Sequence, residues 1–338
     1  MKERRLAFFI PHKGCKQSCI FCNQRAISGK INEVCPNEVF DKCNLFLPEP
    51  GNEKGMEIAF FGGSFTAIDK GYMTQLLEAA NHFIIQRRAS GIRISTRPDS
   101  IDEDILETLK KYSVKAIELG AQSSDDSILL ANERGHDHLS TTKASNLIRD
   151  FEFSLGLQMM VGMYGDKDPK MTAIKTAEDF AFLRPQTMRI YPTLVLKGTK
   201  LEDLFNSGKY VPLSVKEAID CTVEALSVFD KADIETIRIG LHSEMSLHKS
   251  FLAGPYHPAF GEKVNSRIIR NKVMNLLENE RIKTVKVAVG KGMKSAAIGQ
   301  KRENIVFFNS LGIRLIIEED EKLGKREVKI LNTIDKEN

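Results

Sequence analysis

The sequence predicts an α/β protein, a partial (β/α)6-type barrel of parallel strands followed by a small α+β appendage. Three observations predict it. Over the first 240 residues, short β-rich runs alternate with amphipathic stretches of helical period. Repeated strand–helix alternation argues for a parallel sheet wrapped by helices, and six or seven units are too few to close an eight-stranded barrel. Past Leu241 the alternation gives way to strand-like pieces separated by glycine turns.

In chain order, the strands are expected at 6–10, 57–61, 92–95, 114–119, 155–161, 188–191 and 236–241. Helical patterns lie between them at 70–88, 101–111, 140–151, 170–183 and 214–231. Apolar residues there recur at three- and four-residue intervals, as at Leu76, Leu77, Ala80 and Ile84. Asp102 and Glu103 enrich a first turn after Ser100, as a helix start should. A turn-rich segment at 254–258 precedes a helical stretch near 262–280. Strand-like pieces then follow at 284–289, 305–308, 313–317 and 327–331. Two regions are expected, 1–260 as the barrel and 261–338 as a small basic α+β region. In such folds ligands gather beyond the carboxyl ends of the strands.

Composition narrows the class. Hydrophobic residues are 42% and charged residues 28% of 338, as in an ordinary globular protein. There is no apolar run of about 18 residues, so no membrane span is expected. The N-terminus is basic and then apolar, but its apolar part is shorter than a signal-peptide core. It reads as a first strand, and the protein as cytoplasmic. Six cysteines are too few for a disulfide scaffold, and three of them crowd into 15–22, which suggests metal ligation in a reducing compartment. Cys35, Cys43 and Cys221 are scattered. The net charge is +4, yet residues 281–338 alone carry 13 Lys and Arg against 8 Asp and Glu. A basic tail on a near-neutral body suits an anionic partner such as RNA, or simply a solvated surface.

The triad Cys15, Cys19 and Cys22 follows the first strand directly. Structural zinc normally takes four protein ligands, and His12 is available as a fourth. Ferredoxin-type clusters take four thiolates, so three would leave one iron open for a substrate or cofactor. Ile20 and Phe21 are placed to shield such a cluster. Gly62 and Gly63 after the second strand allow backbone to approach a ligand, or form a plain turn. Pro98 forces an extended turn that leaves Ser95 and Arg97 facing the site or the next loop. Arg97 suits a carboxylate fork, or an ion pair with Asp99 or Asp102. Gln122, a polar strand end after a glycine, suits a ribose or backbone contact. Arg189 and Tyr191 face either substrate or core, Met159, Met160 and Met163 read as packing, and His242 is the best placed histidine. The 290–294 (Gly-Lys-Gly-Met-Lys) and 299–302 (Gly-Gln-Lys-Arg) segments are candidate phosphate-contacting loops, though neither is a P-loop.

With these motifs the chain resembles the radical SAM superfamily over approximately 6–260. It is most similar to the radical SAM half of the elongator catalytic subunit, the tRNA wobble-uridine modifier. Segments 61–66 (Phe-Gly-Gly-Ser-Phe-Thr), 95–99 (Ser-Thr-Arg-Pro-Asp), 117–123 (Ile-Glu-Leu-Gly-Ala-Gln-Ser) and 189–192 (Arg-Ile-Tyr-Pro) carry the likeness. Segment 254–261 is similar to short bacterial homologues. The resemblance implies a [4Fe-4S] cluster on Cys15, Cys19 and Cys22, whose open iron binds S-adenosylmethionine (SAM). It further implies SAM contacts at Gly62, Gly63, Ser95, Gln122 and Gln158, although Gln158 stands where relatives often have Asp. Reductive cleavage to a 5′-deoxyadenosyl radical and a flavodoxin- or ferredoxin-like electron donor are implied in the same way. The residues after Leu241 do not read as an acetyltransferase, so carboxymethylation does not carry over. The alternatives are coproporphyrinogen-oxidase-like small-molecule chemistry and a non-catalytic metal-binding RNA-binding protein. The latter has no need of a SAM pocket.

Overall fold

A computed structural model describes residues 4–10, 13–15, 19–24, 33–241, 245–277 and 282–335. His12 and His242 lie outside the described residues. The chain divides into two compact units, Met1–Ser214 with Glu224–Tyr256, and Val215–Val223 with His257–Asn338.

In the first unit, seven strands form one parallel sheet: β1 (Arg4–Phe9), β2 (Met56–Phe61), β3 (Gly91–Thr96), β4 (Val114–Gln122), β5 (Ser154–Val161), β6 (Thr187–Pro192) and β8 (Glu235–Ile239). They pair in sequence order, each β-helix-β crossover laying the next strand beside the last, and the sheet curls into an open half-barrel. A two-stranded ribbon, β7 (Val195–Leu196) with β9 (Phe251–Ala253), stands apart.

Strand alternation separates the faces of the sheet. Phe8, Ile58, Phe60, Ile94, Ile117, Leu119, Leu157 and Ile190 are almost fully buried on the helix-covered outer face. Their neighbours in sequence, Glu57, Arg93, Glu118, Gln158 and Arg189, point to the concave face. The helices start where side chains satisfy orphan N–H groups. Asp69 accepts from Tyr72, Asp102 from Ile105, Asp137 from Ser140 and Asp168 from Met171. Helix Pro36–Phe46, which the sequence pattern did not reveal, is capped by the Cys35 sulfur and begins with a proline at its first turn. It buries Cys43 completely.

The second unit holds a three-stranded sheet in the order β11 (Arg314–Asp320), β10 (Ile282–Gly290), β12 (Val328–Asp335). β10 runs parallel to β11 and antiparallel to β12. Val285, Val287, Ile269, Val273 and Phe308 share its core. The strand expected at 305–308 is instead part of helix Glu303–Ser310. Asn-Ile-Val-Phe-Phe has strand-like composition, but its burial follows the helical period. Asn304 and Phe308, four apart, are 1% and 0% exposed, while Val306 is 62% exposed. The Asn304 amide donates to the carbonyls of Ser266 and Ala297, which fixes that face inward. Among the described residues no helix is long and apolar enough to cross a membrane.

Candidate active site

The loop after β1 is seated backbone to backbone on the loop after β2. Ser64 N–H donates to the Lys13 carbonyl at 2.8 Å, and Ile10 N–H to that of Phe61 at 2.8 Å. A Cβ on Gly63 would stand 2.2 Å from the Lys13 oxygen, and one on Gly14 2.1 Å from the Ser64 oxygen. Both glycines have positive φ, so the contact tolerates no other residue without rearrangement. Gly63 N–H donates to Gln24 Oε1 at 2.6 Å, tying the segment after Cys22 to the same place.

Cys15, Cys19 and Cys22 are brought together by this seating, and their thiols are electrostatically coupled. Burial, then the charges of Cys19 and Cys15, push Cys22 up to about 12. Burial also raises Cys15, with Cys19 adding and Arg97 and Arg134 opposing. Desolvated and repelled by their neighbours, the Cys15 and Cys22 thiols stay protonated at neutral pH unless cations replace the protons. Crowded thiols, two of which ionise only against strong positive charge, fit an iron–sulfur cluster. Among the described residues no group of three His, Cys, Asp or Glu side chains is arranged to hold a single metal ion, and His12, the fourth ligand considered for zinc, lies outside them. Ile20 and Phe21, expected as shields, pack with Val195, Leu201 and Tyr210 and so anchor the loop.

Two guanidiniums that the sequence reading left without a clear role, or missed, face the thiols. Arg134 Nη1 donates to Cys19 Sγ at 2.9 Å and Nη2 to the Gly120 carbonyl. Arg97 forms a bidentate pair with Asp99, at 2.8 and 3.0 Å, and is 5% exposed. Burial alone would lift the Asp99 carboxyl, but the Arg97 bonds and charge outweigh it and hold it below its ordinary range. Arg97 Nη1 and Arg134 Nε are buried with no hydrogen-bond partner. Buried donors of this kind call for an acceptor, and an acidic ligand supplies one. His136, which the sequence offered only as a scattered structural histidine, is pushed down to about 4 by burial, then by Arg134 and Arg97. Beneath these groups, Thr96 Oγ1 bonds both Ser64 and Thr66 hydroxyls, at 2.8 and 2.6 Å, and locks the second and third loops together.

Gln122 and Gln158 meet, Gln158 Nε2 donating to Gln122 Oε1 at 3.1 Å. Gln122 holds φ of 72° and is 4% exposed, a strained placement for a non-glycine residue. Ser95 sits half-buried in register with Glu118, its hydroxyl unbonded among the described residues.

Below this rim the concave face is a ladder of charge. Glu57 accepts from Arg5 at 3.0 Å and from Arg93 at 2.8 and 3.0 Å. Glu118 accepts from Arg93 Nη1 at 3.4 Å and from Arg189 Nη2 at 3.0 Å. Arg189 also reaches the Tyr191 hydroxyl at 3.4 Å and lies 5.0 Å from the centre of the Phe61 ring. Gly156, in register with Glu118, leaves the gap: a Cβ there would be 2.9 Å from Glu118 Cγ. Burial alone would raise Glu57, but Arg93 and then Arg5 outweigh it and hold it low. Arg189 and Tyr191 thus face the interior rather than the helices.

In the second unit the 290–294 loop is already occupied. Glu319 Oε1 accepts from Gly292 N–H at 3.0 Å and Lys294 N–H at 3.2 Å, the donors a phosphate would use.

Residues 9–176 match the radical SAM superfamily and residues 185–270 the radical SAM C-terminal domain. The tRNA uridine(34) acetyltransferase of Methanocaldococcus infernus is 30% identical over 197 residues, 52% of this chain and 36% of that protein. Mouse elongator complex protein 3 is 27% identical over 195 residues, 51% of this chain and 35% of that protein. An uncharacterized protein of Methanocaldococcus jannaschii is 28% identical over 223 residues, 64% of this chain and 67% of that one. The match therefore spans little more than a third of the first of these relatives. The solved structure of the Methanocaldococcus infernus Elp3 with an N-terminal deletion superposes with a TM-score of 0.62 at 21% identity. It covers 80% of this chain and 64% of that one, and shows the shared fold. With the half-barrel, the cysteine loop and both domain matches in place, the chain is an enzyme of the radical SAM superfamily.

Proposed function

We propose that Cys15, Cys19 and Cys22 hold a [4Fe-4S] cluster, that SAM binds beside it, and that the enzyme acts on tRNA. The observation that carries the reading is the interacting thiol triad, Cys19 buried and Cys15 and Cys22 half-buried, facing two guanidiniums with orphaned N–H groups. Held there and reduced by an external flavodoxin- or ferredoxin-like donor, the cluster would supply the electron for reductive cleavage of SAM. The chain's own part is to bind, orient and shield. The backbone of Gly62 and Gly63, the Ser95 hydroxyl and the amides of Gln122 and Gln158 form the SAM contacts. The orphaned nitrogens of Arg97 and Arg134 wait for its acidic end. The tight seating of Gly14 against Ser64, and of Gly63 against Lys13, holds the loop that carries the thiols.

The tRNA assignment draws on relatives named as tRNA uridine(34) acetyltransferases and on elongator complex protein 3. It is confined to the SAM-dependent part, since the matched stretch is about a third of those proteins. Residues 1–260 form the catalytic barrel and 261–338 a basic accessory region. There Lys294, Lys301 and Arg302 are exposed and carry no ion pair among the described residues, so side chains rather than the 290–294 backbone meet RNA phosphates.

The test is anaerobic reconstitution with iron and sulfide, then dithionite, SAM and tRNA, reading 5′-deoxyadenosine. The expected result is formation in the wild type, stimulation by tRNA, and loss with Cys19→Ala. A Cys19→Ala protein that kept the cluster spectrum and SAM cleavage would overturn the ligand set. RNA binding with no loss at higher salt would overturn the phosphate contacts.

A further inference from the structure

The charge ladder on the concave face leaves one guanidinium over. Arg238 on β8 stands in register with Arg189 on β6, and strand neighbours in register share a face. It therefore points toward the interior that Arg189, Tyr191 and Glu118 line. Among the described residues its only hydrogen bond is from Nε to the Gly240 carbonyl at 2.9 Å, neither Nη nitrogen has a partner, and no carboxylate pairs with it.

Glu118 cannot serve, because Arg93 and Arg189 already share it. Two guanidiniums thus lie side by side on a half-buried face, one compensated and one not. Burial, with Tyr191 opposing and Arg189 adding, holds the Arg238 guanidinium below its usual range. Tyr191, whose hydroxyl touches Arg189 at 3.4 Å, adds an O–H on the same strand and face. A planar fork with two free Nη groups, backed by a second cation and a phenol, has the donor set that binds an oxyanion in bidentate fashion.

We propose that Arg238, with Arg189 and Tyr191, forms an oxyanion subsite inside the half-barrel that grips a phosphate or carboxylate of the substrate. The proposal rests on the reading that substrate lies on this concave face. It differs from a general RNA footprint because it is interior, single and built on strands. A nucleotide substrate would offer a phosphate there, and a small acid would offer a carboxylate.

The experiment uses the reconstituted full chain under anaerobic conditions. Thermal midpoints are measured in potassium phosphate, potassium acetate and potassium chloride at matched ionic strength, and with uridine 5′-monophosphate against uridine. Wild type, Arg238→Gln and Arg238→Lys are compared. The expected result is a rise of roughly 2–3 °C for the wild type at ten times the dissociation constant, relative to chloride. Arg238→Gln should lose that increment, and Arg238→Lys, a point charge without the fork, should keep only a minor part of it. A rise with phosphate and the monophosphate but not acetate assigns a phosphoryl group, and the reverse assigns a carboxylate. An equal rise in Arg238→Gln, the mark of general salt stabilisation, overturns the subsite, as does no rise with any oxyanion in the wild type. A structural role alone would shift all midpoints of Arg238→Gln together and leave the increment intact. Wild-type 5′-deoxyadenosine formation in the same preparation reports separately on the proposed function, so the two can fail independently.

Discussion

Replacing Glu118 by Gln removes one negative charge from the centre of the concave ladder while nearly preserving its shape. The consequences divide unequally between its two partners. Arg93 keeps Glu57, to which it donates at 2.8 and 3.0 Å, so its charge stays compensated. Arg189 loses its only carboxylate among the described residues and keeps the Tyr191 hydroxyl at 3.4 Å and the Phe61 ring face at 5.0 Å. Removing one partner of a buried pair costs about 3–5 kcal/mol, and the retained ring contact and amide acceptor place this case at the lower end. Equilibrium urea unfolding at pH 7 should show the stability falling by that amount, as a midpoint lowered by that energy divided by an unchanged slope. The double variant Glu118→Leu/Arg189→Met, which removes both charges together, should recover most of the loss. Stability of Glu118→Gln within about 0.5 kcal/mol of wild type would refute the ladder as a structural unit. So would simple additivity of Glu118→Gln and Arg189→Met, which are in direct contact.

Gly63→Ala forces a Cβ to within 2.2 Å of the Lys13 carbonyl at positive φ, so it should abolish iron retention after reconstitution, measured by iron content per chain. His136 titrates near 4 when folded and near its ordinary value when unfolded, so the unfolded chain binds the extra proton between those limits. Stability should therefore fall as pH drops through that window, by up to roughly 3 kcal/mol, and His136→Phe should flatten the slope there. Glu57 and Asp99, both held below the ordinary carboxylate range, act in a lower window. Their stabilisation is complete above ordinary carboxylate values and is lost as pH falls through the depressed ones, visible as acid unfolding that Asp99→Asn shifts upward in pH. In the second unit, Asn304→Ala should cost about 2–3 kcal/mol by stranding the Ser266 and Ala297 carbonyls, read from denaturant unfolding.

The barrel was legible because its strands are short, apolar and β-branched, and its helices amphipathic, so period alone separates them. All seven strands lie within a few residues of where the pattern puts them. The site was legible only where a motif names it. The segment around Gln122 drew notice for its glutamine, while Glu118, four residues earlier, organises the concave face. A signal existed: Arg93, Glu118, Arg189 and Arg238 are charged residues inside otherwise apolar strands, on the alternate face. Arg134 and His136 had no such signal, because they lie in a turn after a short helix and reach the thiols only through tertiary folding. The helix at Glu303–Ser310 was misread because composition favoured a strand, and a buried asparagine decided otherwise.

The central claim is that three thiolates hold four irons and leave one of them open to SAM. Mössbauer spectroscopy of the reconstituted wild type, with and without SAM, tests it most directly. About four irons per chain should be found, with one site distinct and shifting when SAM is added while the other three do not. A single zinc per chain, or four equivalent irons indifferent to SAM, would contradict the account.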